Sequence, residues 1–359
     1  MPRIMNQYLD TQIFSLTPDA SLAALESTLA RLLVPGSMLD PRLNAYCNRL
    51  QDRFQLFCTT CPAPQWHNGL IITPEIRCQT EIYLPLAEIQ AAFRYLLRRT
   101  CRYSPFLPAV PIFSALSWAD ALERINSPLS SFNPARILAE IAADQLLRTK
   151  FLAPLFIPKR YGGGLDRYPL QKKFLAEWLS RRSAREIAVL DAACGSGEGV
   201  YELAAMVAAA GFYPGSTVVH GCTVEPLELA AAAHGWFPHD SARELALKRM
   251  IAETLQRGGV GTISFFREDI CRKSENSILY DVVVCNGLLA GPLLHENSAL
   301  EAAVAGLAQR VKKGGILLAA DRFHAGWRRV IPHSELKRLF AKHGIRCIDL
   351  TEGVGGIKT

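Results

Sequence analysis

From residue 171 to the end of the chain, short apolar runs alternate with segments of helical periodicity. Apolar, β-branched-rich runs at 187–191, 217–224, 262–266, 280–285, 316–320 and 345–350 predict strands, and a hairpin turn at 353–356 leads into a last one. The segments between them, at 172–182, 200–210, 227–234, 242–257, 298–311 and 333–343, place apolar residues at the three-to-four spacing of a helix face. Gly211, Pro214-Gly215 and Gly344 stand where a helix must stop, and Lys312-Lys313-Gly314-Gly315 reads as a cationic helix end followed by glycine. Seven strands alternating with helices predict a Rossmann-like, doubly wound, mostly parallel sheet. The Val-rich run at 280–285 predicts a strand covered on both faces.

Residues 1–150 carry a different pattern. Helical periodicity covers 21–33, 86–99 and 134–150, proline-rich stretches such as 104–111 separate the helices, and 69–83 reads as a short hairpin. The expected organisation is a mostly helical N-terminal domain over 1–150, a linker or lid over 151–170, and an α/β domain over 171–359. Substrate recognition is the task expected of the first.

Composition adds exclusions. The 359 residues are 49% hydrophobic, which fits a packed globular protein. No apolar run reaches the length of a membrane span, and the first residues lack the apolar core of a secretory signal. The net charge of +7 is dispersed in pairs such as Arg98-Arg99 and Lys172-Lys173, the pattern of solvated helix faces, and points away from nucleic acid. Ten scattered cysteines do not make a disulfide framework, so a reducing, cytoplasmic compartment is expected. Cys58 and Cys61, with Cys47, His67 and Cys78 nearby, form a single C-x-x-C with irregular spacing, which reads as buried structural cysteines and no metal site.

The chemistry is written at 189–199, Val-Leu-Asp-Ala-Ala-Cys-Gly-Ser-Gly-Glu-Gly: a strand, a glycine turn and the start of a helix. Glycines let the backbone approach a ligand, and the helix N-terminus offers N–H groups beside it. The pattern is neither the dinucleotide G-x-G-x-x-G nor the phosphate loop ending in G-K-[ST]. It resembles motif I of the class I S-adenosylmethionine (SAM) methyltransferases. That resemblance spans roughly 171–359 and implies a SAM site. Asp191 would hold the amino group of the methionine tail. Cys194, Gly195, Gly197 and Glu198 would form the turn around it. Glu225, ending the second strand, would accept the ribose hydroxyls. Asp269 would take the adenine amine while Ile270 covers the ring, and Asn286 and Gly287 would stand beside the reactive methyl.

Within that superfamily, Gly195-Ser196-Gly197-Glu198-Gly199-Val200-Tyr201-Glu202-Leu203-Ala204 resembles the turn of the CheR-type chemotaxis-receptor glutamate methyltransferases. The segments 227–237 and 281–289 resemble theirs in part, without the arginine that precedes the asparagine. Their T-x-F-F-R segment has no counterpart in 158–168, where Arg160, Tyr161 and Arg167 flank three glycines that read equally as a lid or a plain linker. The expected activity is methyl transfer to an oxygen or nitrogen of a protein side chain or small molecule. The alternative is a non-catalytic protein that holds SAM or its product. Tyr161 and Arg167 are candidates to orient a substrate carboxylate, and His295 and His324 are candidate bases. The acceptor and the oligomeric state are not written in the sequence.

Overall fold

The computed structural model describes residues 14–61, 71–125, 131–157, 167–183, 186–256, 263–272, 277–321 and 325–359. They form two compact units: one drawn from Leu25–Arg160 and Phe237–Ala242, the other from Phe14–Ala24, Tyr161–Trp236 and Arg243–Thr359.

The described part of the first unit is helical: α1 (Leu22–Leu32), α2 (Pro41–Thr60), α3 (Pro74–Tyr83), α4 (Leu86–Thr100), α5 (Pro111–Ser114), α6 (Trp118–Ile125), α7 (Pro134–Ala143) and α8 (Gln145–Phe156). Three of these start alike. Asp40, Thr73 and Asn133 accept the backbone N–H of Leu43, Ile76 and Ala135 at 2.6, 3.3 and 2.9 Å, and proline follows each of them. The Thr73-Pro74 start makes 74–83 a helix, which overturns the expected hairpin. The expected helix 134–150 divides at Asp144, whose carboxylate caps α8 through the N–H of Leu147. Helix α8 then runs through Pro154 to Phe156, so the expected linker begins inside a helix. The 20-residue α2 carries little helical signal in the sequence because it buries only Leu43, Leu50 and Phe57, a single narrow stripe at seven-residue spacing. Phe93 packs on Trp118 and Phe151 at 5.9 and 6.1 Å, and the buried Trp118 donates to the Phe132 carbonyl at 2.8 Å.

The second unit is built on one mixed sheet of β1 (Ser15–Leu16), β2 (Ile187–Asp191), β3 (Thr217–Thr223), β4 (Ile263–Arg267), β5 (Tyr280–Val284), β6 (Val311–Ala319), β7 (Ile345–Ile348) and β8 (Val354–Lys358), in the order β1-β4-β3-β2-β5-β6-β8-β7. The five central strands are parallel, and the pairings of β1, β8 and β7 are antiparallel. Among the described residues, eight strands stand where seven were expected. The addition, β1, is two residues long and too short to carry a periodicity. Strand β6 starts five residues earlier than expected: Lys312-Lys313-Gly314-Gly315 is not a helix end but part of an irregular strand. There the register shifts between Tyr280 and Val282, Gly314 takes φ +75°, and Lys312 pairs with Asp281 at 2.8 Å.

The remaining helices are α9 (Pro169–Ser180), α10 (Glu198–Ala209), α11 (Pro226–His234), α12 (Ser241–Gln256), α13 (Asn297–Arg310), α14 (Ala325–Val330) and α15 (His333–Lys342). Leu300, Val304 and Leu307 of α13 and Leu336, Leu339 and Phe340 of α15 pack with Leu190, Val283 and Leu317 in one buried cluster. Other contacts join α10 and α11 to the strands: Tyr201 lies 5.8 Å from Phe265, and its buried hydroxyl donates to the Ala232 carbonyl at 2.8 Å. The connections reverse direction between β2 and β5. In an open α/β sheet, the crevice beyond the carboxyl ends at that reversal is where ligands bind.

Candidate functional site

Four parallel strands, β4, β3, β2 and β5, deliver their carboxyl ends side by side. At about 4.8 Å per strand they span about 14 Å, the length scale of a nucleoside with a short tail. Asp191 ends β2, opposite Gly221 and Val284. Glu225, Asp269 and Asn286 each stand two residues past the last residue of their strand.

The three acids share one habit. Asp191, Glu225 and Asp269 each accept the backbone N–H two residues on, from Ala193, Leu227 and Cys271 at 3.2, 3.2 and 2.9 Å. Asp191 and Glu225 are buried, while Asp269 is partly exposed and pairs with Arg272 at 3.3 Å. Ile270, beside Asp269, is buried. Glu268, just before it, forms an ion pair with the buried Arg310 of α13 at 2.9 Å. That contact ties the end of β4 to a helix.

The turn after β2 has no room for side chains at two positions. Gly197 adopts φ +90°, and a Cβ there would lie 2.5 Å from that of Ala232. A Cβ on Gly199 would lie 2.7 Å from Oδ2 of Asp191, so the carboxylate rests over the first turn of α10. Gly195 is also left-handed, at φ +51°, and the N–H of the buried Cys194 donates to the Cys222 carbonyl at 3.1 Å. Burial pushes the thiols of Cys222 and Cys285 well up, so neither is a thiolate at neutral pH.

Glu198 faces into the turn. Its Oε1 accepts from Nε of Arg243 at 2.5 Å, its Oε2 accepts from the Ser196 hydroxyl at 2.9 Å, and Arg243 also donates to Ser196. Burial raises this carboxyl, but the Arg243 charge, the hydrogen bonds from Arg243 and Ser196, and its own backbone N–H outweigh that and leave it below the usual range. Arg243 was not singled out in the sequence. It lies 45 residues away and nothing in its neighbourhood marks it.

Asn286 is also committed. It exchanges two hydrogen bonds with the amide of Gln171, at 2.8 and 3.1 Å, and accepts the Ala320 N–H at 2.8 Å. It therefore ties α9 and the end of β6 to β5. Gly287 takes φ +72°, and a Cβ on it would come within 3.6 Å of the Tyr168 hydroxyl and 3.9 Å of Nη2 of Arg167. The structure thus brings Arg167 to the end of β5. His295 lies further along the same loop, its ring 5.1 Å from that of Trp327. Asp321, at the end of β6, faces His333 at 3.4 Å, a pair the sequence reading missed although Asp321 directly follows an expected strand. Arg160, Tyr161, the glycine run 162–164 and His324 lie outside the described residues. So does His67. Among the described residues no metal-binding cluster occurs, and no helix is long and apolar enough to cross a membrane; Cys58 and Cys78 are exposed free thiols and Cys47 and Cys61 half-buried ones, which overturns their expected burial.

No protein-family model and no curated protein matches the chain, so the resemblance to the chemotaxis-receptor methyltransferases remains one of short motifs. Solved structures similar to it include the [4+2]-cyclase SpnF, at 17% identity over 49% of this chain and 58% of that one, with a TM-score of 0.34. Another is the SAM-bound CalS10, an amino pentose methyltransferase from Micromonospora echinaspora, at 19% identity over 44% and 51%, with a TM-score of 0.28. A third is the N-methyltransferase NodS from Bradyrhizobium japonicum WM9 with S-adenosyl-L-homocysteine, at 16% identity over 52% and 80%, with a TM-score of 0.33. The chain therefore spans between half and three-fifths of the length of the first two.

Proposed function

We propose that this protein is a SAM-dependent methyltransferase whose cofactor site is the carboxyl edge of β4, β3, β2 and β5. The observation that carries this reading is the charge of that edge. Asp191, Glu225 and Asp269 end three adjacent strands beside a glycine turn, and Asp191 lies over the first turn of the helix that follows it. A pyrophosphate binder leaves that helix N-terminus to the phosphates, and the Asp191 carboxylate resting there would repel them. An acidic edge suits a cationic nucleoside with an amino-acid tail.

The residues fit SAM in both shape and charge. Gly197 and Gly199 let the turn close against Ala232 and Asp191, which sets the Asp191 carboxylate over the start of α10, where it would receive the ammonium of the tail. Glu225 would hold the ribose diol, Asp269 the adenine amine, and Ile270 one face of the ring. SAM supplies a methyl group already activated by its sulfonium. The protein's part is to position the acceptor and exclude water. Gly287 and the Gln171–Asn286 amide pair fix the end of β5, and Arg167 beside Gly287 would orient an anionic group of the acceptor. The Asp321–His333 pair at the end of β6, or His295 in the loop that follows β5, would take the acceptor proton. The acceptor would be a small molecule or protein side chain, methylated at oxygen or nitrogen.

Calorimetric titration with SAM, S-adenosylhomocysteine, NAD and ATP tests the cofactor. Micromolar binding of the first two, lost in Glu225→Ala and not shared by NAD or ATP, is the expected result. A folded protein that binds NAD or ATP in preference would overturn it.

A further inference from the structure

We propose that Arg243 is a positioning residue for the cofactor turn: it holds 195–199 in its binding shape by neutralising Glu198 and fixing Ser196. This inference rests on the SAM reading and adds a residue outside every motif in the sequence.

The geometry is a closed ring of three side chains. Arg243, in the first turn of α12, sends Nε to one carboxylate oxygen of Glu198 and Nη2 to the hydroxyl of Ser196. Ser196 closes the ring by donating to the other oxygen of Glu198. The Arg243 and Glu198 side chains are only 18% and 14% exposed, so water screens the pair poorly. The ring brackets Gly197, the residue wedged against Ala232 and Phe265 at φ +90°. It therefore acts on the stretch of backbone that has no space in which to adjust.

Two consequences follow for the ligand. The charge of Glu198 is spent inside the turn, which leaves the ammonium of the methionine tail to Asp191. Removing the arginine alone would leave a nearly buried carboxylate without a counter-charge, a costly state that the turn can escape only by protonating Glu198 or moving it toward water. Lysine would keep the charge but not the fixed fork by which a guanidinium sends two N–H groups to two acceptors.

The test is S-adenosylhomocysteine binding to the full chain, measured across pH for wild type, Arg243→Gln, Arg243→Lys and the double variant Glu198→Gln/Arg243→Gln. In Arg243→Gln we expect affinity near neutral pH to fall by about tenfold or more, and to recover toward wild type as acid neutralises Glu198. Arg243→Lys should fall between the two. The double variant, with no carboxylate to neutralise, should bind within about threefold of wild type, a difference of less than 1 kcal/mol. A merely structural role would produce a loss independent of pH and unrepaired by Glu198→Gln. That result, or full affinity in Arg243→Gln, would overturn the inference while leaving the cofactor reading intact. A folded wild type that binds neither SAM nor S-adenosylhomocysteine would remove both.

Discussion

At the scale of single residues, Gly199 makes a sharp test of the turn. It is the second residue of α10, where alanine is intrinsically better for a helix by about 1 kcal/mol. Its missing Cβ is also what lets the Asp191 carboxylate rest over the turn. Gly199→Ala should therefore cost affinity for S-adenosylhomocysteine by about an order of magnitude while leaving the thermal midpoint close to wild type. Equal affinity in titration would show that Asp191 does not need that position. Tyr201→Phe should do the reverse. It unpairs the Ala232 carbonyl and should lower unfolding free energy in urea by about 1 kcal/mol. Ligand affinity should then stay near wild type. The acids were legible in the sequence because each follows a strand whose apolar run announces its own end. Arg243 and Gln171 were not, because an isolated arginine or glutamine carries no local mark of the distant carboxylate or amide it will meet.

At the scale of elements, legibility followed how wide an apolar face each segment buries. Strands β2 to β5 are largely apolar, and their expected bounds agree to within a residue. Helix α2 shows the opposite case, with a stripe one residue wide at every second turn. The Lys-Lys-Gly-Gly segment is a third case, since its composition fits a helix end and its structure is a strand irregularity fixed by Asp281, a partner outside the local sequence. A comparable long-range device sits between α7 and α8. Arg148 is 1% exposed and donates to the carbonyls of Ile141, Ala142 and Gly36 at 3.0, 3.2 and 2.6 Å, closing the end of α7. Arg148→Met keeps much of the volume and takes the guanidinium from the Ile141 and Gly36 carbonyls, while Ala142 keeps the N–H of Met38 at 2.8 Å. It should destabilise the helical unit by about 2–3 kcal/mol, read from urea unfolding of the full chain. A change within about 0.5 kcal/mol would mean that water replaces the guanidinium.

At the scale of the whole molecule, the half-buried His220, the buried His234 and the paired carboxylates divide the acid response into two windows. His220 and His234 are held neutral, their pKa lowered by burial. His220 contacts the Tyr280 hydroxyl at 2.8 Å, and His234 contacts the Asp19 carbonyl at 2.6 Å. Their unfolded value is 6.5, so as pH falls through it the unfolded chain binds protons that the folded chain refuses, and stability declines. Glu198 and Asp120 act later. Burial works to raise both, but Arg243 on Glu198, and Arg77 with Ser117 on Asp120, lower them on balance. Their contribution is complete above the ordinary carboxylate values of 4.5 and 3.8 and is lost only as pH drops beneath them. Urea midpoints should therefore fall between about pH 7.5 and 5.5, before any of these carboxylates titrates. The double variant His220→Gln/His234→Gln should start lower but show a much flatter profile across that interval. A wild-type profile that is flat there and drops only in stronger acid would place the whole response on the carboxylates and remove the histidines from it.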